Sequence, residues 1–261
     1  MRTQQQLHRN LFLTLGLSAL LFLSLCAAQD ENPDLPSSKI KVTKKFEEFR
    51  KIAGSTEMVY IEGGEYNDEI VKPFYMDVNL VTVGQYKACV DAGVCPAPPK
   101  NEFWSDTWKK GDPDLPITNI SWYNARTFAD WVGKRLPTEQ EWVWAARGRE
   151  KGRIYPWGNE PPKREHACWM RYDAEVDTGG GPCHVGQFIG SRDGVKDMAG
   201  NLWELTATFQ NEDSMLIIMK GGAWYNDDPE KLKVSARGVA TPYHRAYSCD
   251  GFRCVRSVKI K

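Results

Sequence analysis

Six cysteines set the tightest limit on how this chain folds. They fall in three close pairs, Cys89 with Cys95, Cys168 with Cys183, and Cys249 with Cys254, while a seventh, Cys26, sits in an apolar N-terminal run. An even set in an exported chain reads as a disulfide framework. The loops so closed are short, so each bridge would pin a local loop rather than join distant parts of the fold. Proximity alone suggests this pairing, and six cysteines allow other connectivities.

Export is read from the N-terminus. Arg2, His8 and Arg9 precede the apolar run Leu11 to Leu25, and small residues follow it. The run is short for a bilayer span and has the layout of a secretory leader. Two cleavage readings compete. One cuts after Ala28 in CAAQ; the other takes LSLC as a lipobox with Cys26 lipidated, although Leu25 departs from the small residue usual there. A retained anchor helix is the third possibility. The expected organisation is a leader over residues 1–28, a tether over 29–54 and one domain over 55–261. The location expected is periplasmic or cell-envelope, with a membrane contact only through a lipid at Cys26.

Lys+Arg and Asp+Glu are both 34, so the formal net charge is zero. Without a basic block, nucleic acid and acidic membrane surfaces gain no electrostatic support as partners. The chain carries 10 tryptophans. In a loop-rich chain these predict a core of large flat rings, each needing an N–H partner if buried.

Capping signals announce three helices. Thr82 with Gln85 forms a capping box, with Gly93 as the stop. Ser121 opens WYNARTFADWV, whose Trp122, Ala125, Phe128, Ala129 and Val132 share one face, and Gly133 closes it. Thr138 opens EQEWVWAAR with Glu141 at the box position, and Gly148 closes it. MVYIEGG and VKPFYMDVNLVT have strand composition. KVTKKFEEFRK within the tether has the composition of a short helix. Beyond residue 150 the chain is rich in glycine, proline and aspartate, with brief apolar runs such as MLIIM. The class expected is α+β with much irregular chain.

Several motifs then occur in one order: LPITNISWYNARTFADWVGKRLPTEQEWVWAARG (115–148), YPWGN (155–159), KDMAGNLWELT (196–206), KGGAW (220–224) and GFRC (251–254). In that order they resemble the formylglycine-generating enzyme, or sulfatase-modifying-factor, family across roughly residues 58 to 257. The resemblance implies a C-type-lectin-like variant with little regular secondary structure. It does not by itself imply an activity, because the family holds a copper-dependent oxidase, inactive paralogues, iron enzymes, a pyoverdine-maturation protein and ligand-binding modules.

In the oxidase, two cysteines after the GGS turn bind copper, a soft-ligand site. Here the turn is Gly221-Gly222-Ala223, Asn226 takes the first thiol position, and the second falls near Pro229 to Lys231. Copper and the known cysteine-to-formylglycine activity are therefore not expected. The three histidines beyond His8 also cannot supply an iron site of the ergothioneine type. The resemblance does imply a calcium site at DMAGNLWE, with the side chains of Asp197 and Glu204 and the carbonyls of Gly200 and Leu202. A second family calcium site wants an asparagine near residue 168, where this chain has Cys168.

Three further clusters carry competing readings. His166, Cys168, Cys183 and His184 offer two imidazoles and two thiols to a metal, or a disulfide with two incidental histidines. Asn226, Asp227, Asp228 and Glu230 offer a cation or base site, or a solvated acidic turn. Tyr225, Asn226, Arg237, Tyr243, His244 and Arg245, with Tyr247, are the ligand-binding candidates. They would line the family's groove and suit a peptide, protein or glycan; the alternative is ordinary surface aromatics. The function expected is a ligand-binding domain without the oxidase reaction. The other reading is a periplasmic oxidoreductase of the pyoverdine-maturation type that works without the thiol pair.

Overall fold

The computed structural model describes residues 44–99, 106–170, 180–244 and 249–258. The expected leader with Cys26, the tether up to residue 43, Arg245 and Tyr247 lie outside the described residues.

The end of the expected tether is helical. Helix α1 (Lys44–Gly54) packs on α2 (Val83–Asp91). Phe46, Phe49 and Ala53 recur at helical spacing, and that stripe explains the docking. Phe46 meets Trp131 edge-on at 5.9 Å, Phe49 packs against the main core, and Ala53 is buried. Among the described residues, the folded unit thus includes Lys44–Gly54.

Three small sheets follow. Strand β1 (Met58–Ile61) pairs antiparallel with β4 (Phe74–Asp77), which pairs with the C-terminal strand β9 (Val255–Ser257). The two ends of the domain are thus hydrogen-bonded to one another. Between β1 and β4 lies a hairpin missing from the sequence reading, β2 (Gly64–Tyr66) with β3 (Glu69–Val71). Its two-residue turn, Asn67-Asp68, has φ of 51° and 62° at the two positions, the conformation two-residue hairpins prefer and one that Asn and Asp tolerate. The third sheet has the order β7–β6–β5–β8, from β5 (Trp203–Phe209), β6 (Ile217–Lys220), β7 (Gly238–Ala240) and β8 (Asp250–Gly251). Only β5–β8 is parallel.

The helices keep the predicted caps. Thr82 and Thr138 form capping boxes with Gln85 and Glu141, and Ser121 forms one with Asn124. The helices they open are α2, α4 (Trp122–Trp131) and α5 (Glu139–Ala146); α3 (Thr107–Lys110) is a single turn. Gly93, Gly133 and Gly148, the predicted stops, all have positive φ. Arg135 grips Glu141 through two bonds of 2.7 and 2.6 Å, fixing the entry to α5.

Several core tryptophans satisfy their N–H groups, whereas Trp131 Nε1 is buried with no hydrogen-bond partner. Trp142, fully buried, donates to Glu204 at 2.9 Å; Trp122 donates to the Thr206 carbonyl at 2.8 Å; Trp144 donates to the Glu62 carbonyl at 2.9 Å. Tyr155 and Trp157 of YPWGN stack 5.0 Å apart, and Trp157 stacks on His166 at 4.8 Å.

Two of the three expected disulfides form, Cys89–Cys95 and Cys168–Cys183. The third is corrected: Cys249 and Cys254 are free thiols. The sheets separate them. The Cys249 carbonyl accepts from Trp203, which holds it on β5, whereas Cys254 is bonded through both its backbone groups to Asp77, which holds it on β4.

Candidate functional site

The family's motif residues converge on one junction, where the DMAGN loop, the GGA turn and the Cys168–Cys183 disulfide meet. Asp197 and Asn201 both adopt positive φ (54° and 61°) on either side of Gly200 (73°). Gly200 tolerates no side chain, since a Cβ would lie 2.4 Å from the Cys168 carbonyl oxygen. Its N–H donates to the Gly221 carbonyl at 2.8 Å. The Asn201 side chain accepts from the Cys183 N–H at 3.1 Å and donates to the Cys183 carbonyl at 3.2 Å. Its backbone accepts from Trp224 at 2.8 Å. The disulfide therefore anchors the loop, and the loop anchors the turn.

The turn itself is tight. At Gly222 (φ 75°) a Cβ would sit 2.7 Å from the Lys231 carbonyl oxygen, so the chain returns directly over it. Asn226 does not face outward as a ligand would: its Oδ1 accepts from the Ala223 N–H at 2.7 Å, and its N–H donates to the Ala223 carbonyl at 3.0 Å. An asparagine closing a turn through its own side chain is a structural use of the residue. The second thiol position, near Pro229 to Lys231, falls in a short 3₁₀ turn, Pro229–Leu232, where Lys231 is exposed. No strand forms between Lys231 and Arg237.

The acidic turn is solvated. Asp228 caps the 3₁₀ turn by accepting from the Glu230 N–H at 3.0 Å, and Glu230 pairs with Lys233 at 2.5 Å. The zinc reading of 166–184 gives way to the disulfide. His166 stacks on Trp157, and His184 reaches Asp112 at 2.8 Å. Among the described residues no three His, Cys, Asp or Glu side chains gather to hold a metal.

The expected calcium ligands sit around a buried ion pair. Arg253 is fully buried and holds both oxygens of Glu204 at 2.7 and 2.8 Å. Its remaining N–H groups donate to the carbonyls of Asp77, Val78 and Lys196. Glu204 also accepts from Trp142, so Arg253 and Trp142 already neutralise and bond it. Asp197 is different. One oxygen accepts from the Gly186 N–H at 2.5 Å; the other, Oδ1, is buried with no hydrogen-bond partner. Burial pushes its carboxyl above the usual range. A buried carboxylate oxygen without a partner fits a hard cation; Glu204 offers such an ion only the lone pairs that Arg253 and Trp142 leave.

A cluster that sequence reasoning missed lies behind Tyr225. The free Cys249 hydrogen-bonds to both Tyr225 and Asp250, and burial, with the Asp250 charge second, holds its thiol well above the ordinary value. Burial pushes the Asp250 carboxyl up to about 7. Only the adjacency of Cys249 and Asp250 in sequence pointed here, and the expected disulfide concealed it.

The six ligand-binding candidates are spread over several surroundings. Tyr225 and Asn226 belong to the turn. Arg237 clamps Glu139 at 2.6 and 2.8 Å. It helps line a pocket of about 390 Å³ with Tyr66 and Thr208. Behind Glu139 lies the fully buried Lys220, its amine 3.4 Å from the carboxylate and pushed down to about 8 by desolvation. Tyr243 lies 4.9 Å from Tyr123, and His244 is exposed beside it. Arg245 is outside the described residues.

The family described as "Sulfatase-modifying factor enzyme 1-like domain" matches residues 43–258. The inactive C-alpha-formylglycine-generating enzyme 2 of Bos taurus is 33% identical over 172 residues, covering 60% of this chain and 57% of that protein. The formylglycine-generating enzyme of Thermomonospora curvata is 34% identical over 152 residues, covering 56% of this chain and 47% of that protein. The chain thus spans about half the length of these curated relatives. The structure of PvdO from Pseudomonas aeruginosa superposes with a TM-score of 0.60 at 22% identity, covering 78% of this chain and 95% of that one. That last likeness is one of fold.

Proposed function

The chain belongs to the sulfatase-modifying factor enzyme 1-like domain family, and we propose that it is an exported ligand-binding member that has lost the family's copper oxidase reaction. The observation that carries this is the turn after Gly222. Asn226 and a residue among Pro229 to Lys231 stand at the thiol positions, and the Asn226 Oδ1 is engaged in closing the turn on Ala223. Neither side chain replaces a soft thiolate ligand for Cu(I). The single thiol nearby, Cys249, is protonated and tied to Tyr225 and Asp250. The ligand is a peptide, protein or glycan held by the loops after residue 220. Copper(I) titration against a competing chelator tests this: the domain should not hold one equivalent of copper, and tight stoichiometric retention would refute the reading.

A structural calcium ion belongs to the same proposal, held by Asp197 Oδ1 and the carbonyls of Gly200 and Leu202, with Glu204 shared between the ion and Arg253. The buried unpartnered Oδ1 supports it. Two disulfides support an oxidising compartment, periplasmic or envelope, reached through the N-terminal apolar run.

One observation favours a second reading, an oxidoreductase that works without the thiol pair. Tyr225, Cys249 and Asp250 form a hydrogen-bonded set whose carboxyl is poised near neutral pH for proton transfer. Metal analysis of the purified protein separates the two. Stoichiometric iron or copper that disappears in Cys249→Ser would favour the oxidoreductase.

A further inference from the structure

The face formed by the start of α4 and the end of β5 carries an aromatic row that is exposed at Tyr123, Phe209 and Tyr243 and backed by the buried Trp122. Tyr243 lies 4.9 Å from Tyr123, Tyr123 lies 5.4 Å from Trp122, and Trp122 lies 5.7 Å from Phe209. Tyr243 is 72% exposed, and Tyr123 and Phe209 are each 39% exposed. Local structure turns them outward. Tyr123 is in the first turn of a helix whose buried stripe is Trp122, Ala125, Phe128 and Ala129, and Phe209 ends β5 beyond a register shift in its pairing with β6. The Tyr123 and Tyr243 rings are tilted by 45° to one another, so they form a contiguous aromatic pair.

Beside the row is a cavity of about 480 Å³, a volume in the range of small-ligand sites. Trp122, Leu136 and Phe209 give it an apolar floor, and Arg126, Asp130 and Arg135 its polar rim. The charges on this rim are already matched. Arg126 faces Asp130 at 3.6 Å while lying over the Trp122 ring at 5.6 Å, and Arg135 is held by Glu141 at 2.7 and 2.6 Å. A charged ligand would have to break one of these pairs. A neutral polyhydroxylated ligand would not, because donor and acceptor stand side by side for its hydroxyls. The negative ring faces suit the polarised C–H face of a pyranose.

We propose that this face binds a neutral oligosaccharide, one pyranose stacked on the Tyr123–Tyr243 pair and the next seated on Phe209 with its hydroxyls on Arg126 and Asp130. The proposal rests on the ligand-binding reading above and names the ligand's class. The test is calorimetry on the mature protein with oligomers of β-1,4-glucose, α-1,4-glucose and β-1,4-N-acetylglucosamine, beside a uronate oligomer and an acidic peptide. At least one neutral series should bind, more tightly as it lengthens. Tyr123→Ala and Phe209→Ala should each weaken it about tenfold with unchanged melting temperature. Tyr60→Ala, on an exposed ring of β1, should leave it unchanged. Absence of any neutral sugar binding, indifference to both aromatic variants, or preference for the uronate or the peptide would each overturn the proposal. A protein ligand bound without sugar would overturn it too, while leaving the ligand-binding reading standing.

Discussion

Arg253 places a full positive charge where water does not reach, and every direction around it is answered by Glu204 or by a backbone carbonyl. Such a pair adds little net stability, but removing one partner leaves the other charged and buried. Arg253→Met should therefore cost about 3–5 kcal/mol and lower the melting temperature by about 10 °C or more; a shift of only a degree or two would mean that Glu204 is balanced by something else, such as a bound ion. Asp250 gives a second prediction at this scale. Its carboxyl is raised to about 7 in the fold and titrates near 4 when unfolded. Between those values the native state keeps a proton that the unfolded chain has lost, so this residue's contribution falls as pH rises through the window. The stability of Asp250→Asn relative to the wild type should rise from about pH 4 to about pH 7 and level off above. A difference independent of pH, measured by denaturant unfolding, would show that Asp250 is not held protonated. Neither Arg253 nor Asp250 stood out by its own local pattern, because what makes each unusual is the burial supplied by distant segments.

Helices α2, α4 and α5 were legible because their signals are local: each cap and its partner are three residues apart. Thr138→Ala should cost about 1 kcal/mol by removing an N-terminal hydrogen bond, read as a small drop in melting temperature with unchanged circular dichroism; no change would mean that Arg135 alone holds Glu141. The hairpin turn at Asn67-Asp68 had a local signature as well, yet its strands are only three residues each and carry little hydrophobic alternation. The path after Gly222 was not legible either, because Asp228 draws the backbone into a 3₁₀ turn that returns over Gly222. The fate of Cys249 and Cys254 was not legible. It depends on β5 recruiting residue 250 and β4 recruiting residue 255, two long-range pairings of which the second crosses most of the domain.

Seen as a whole, the molecule closes by joining its last strand to one of its first, with the DMAGN loop riveted between a disulfide and the GGA turn. Two disulfides and two protected thiols are expected in the described domain. Mass spectrometry after alkylation under native conditions should find Cys249 and Cys254 unmodified or slowly modified, since burial keeps both thiols protonated. A third disulfide would contradict the sheet assignments. If Asp197 holds calcium, chelation should lower the melting temperature and calcium, but not magnesium, should restore it; indifference to chelation would remove the ion from the account. The family frame was readable from ordered motifs, whereas the dispersal of Tyr225, Arg237 and Tyr243 among different neighbours required the folded chain. The central claim is that this frame has kept its architecture and lost its redox centre. Incubating the mature protein with copper, oxygen, a thiol reductant and a sulfatase-type cysteine peptide tests it most directly: the peptide mass should stay unchanged, and appearance of the formylglycine product would contradict the account.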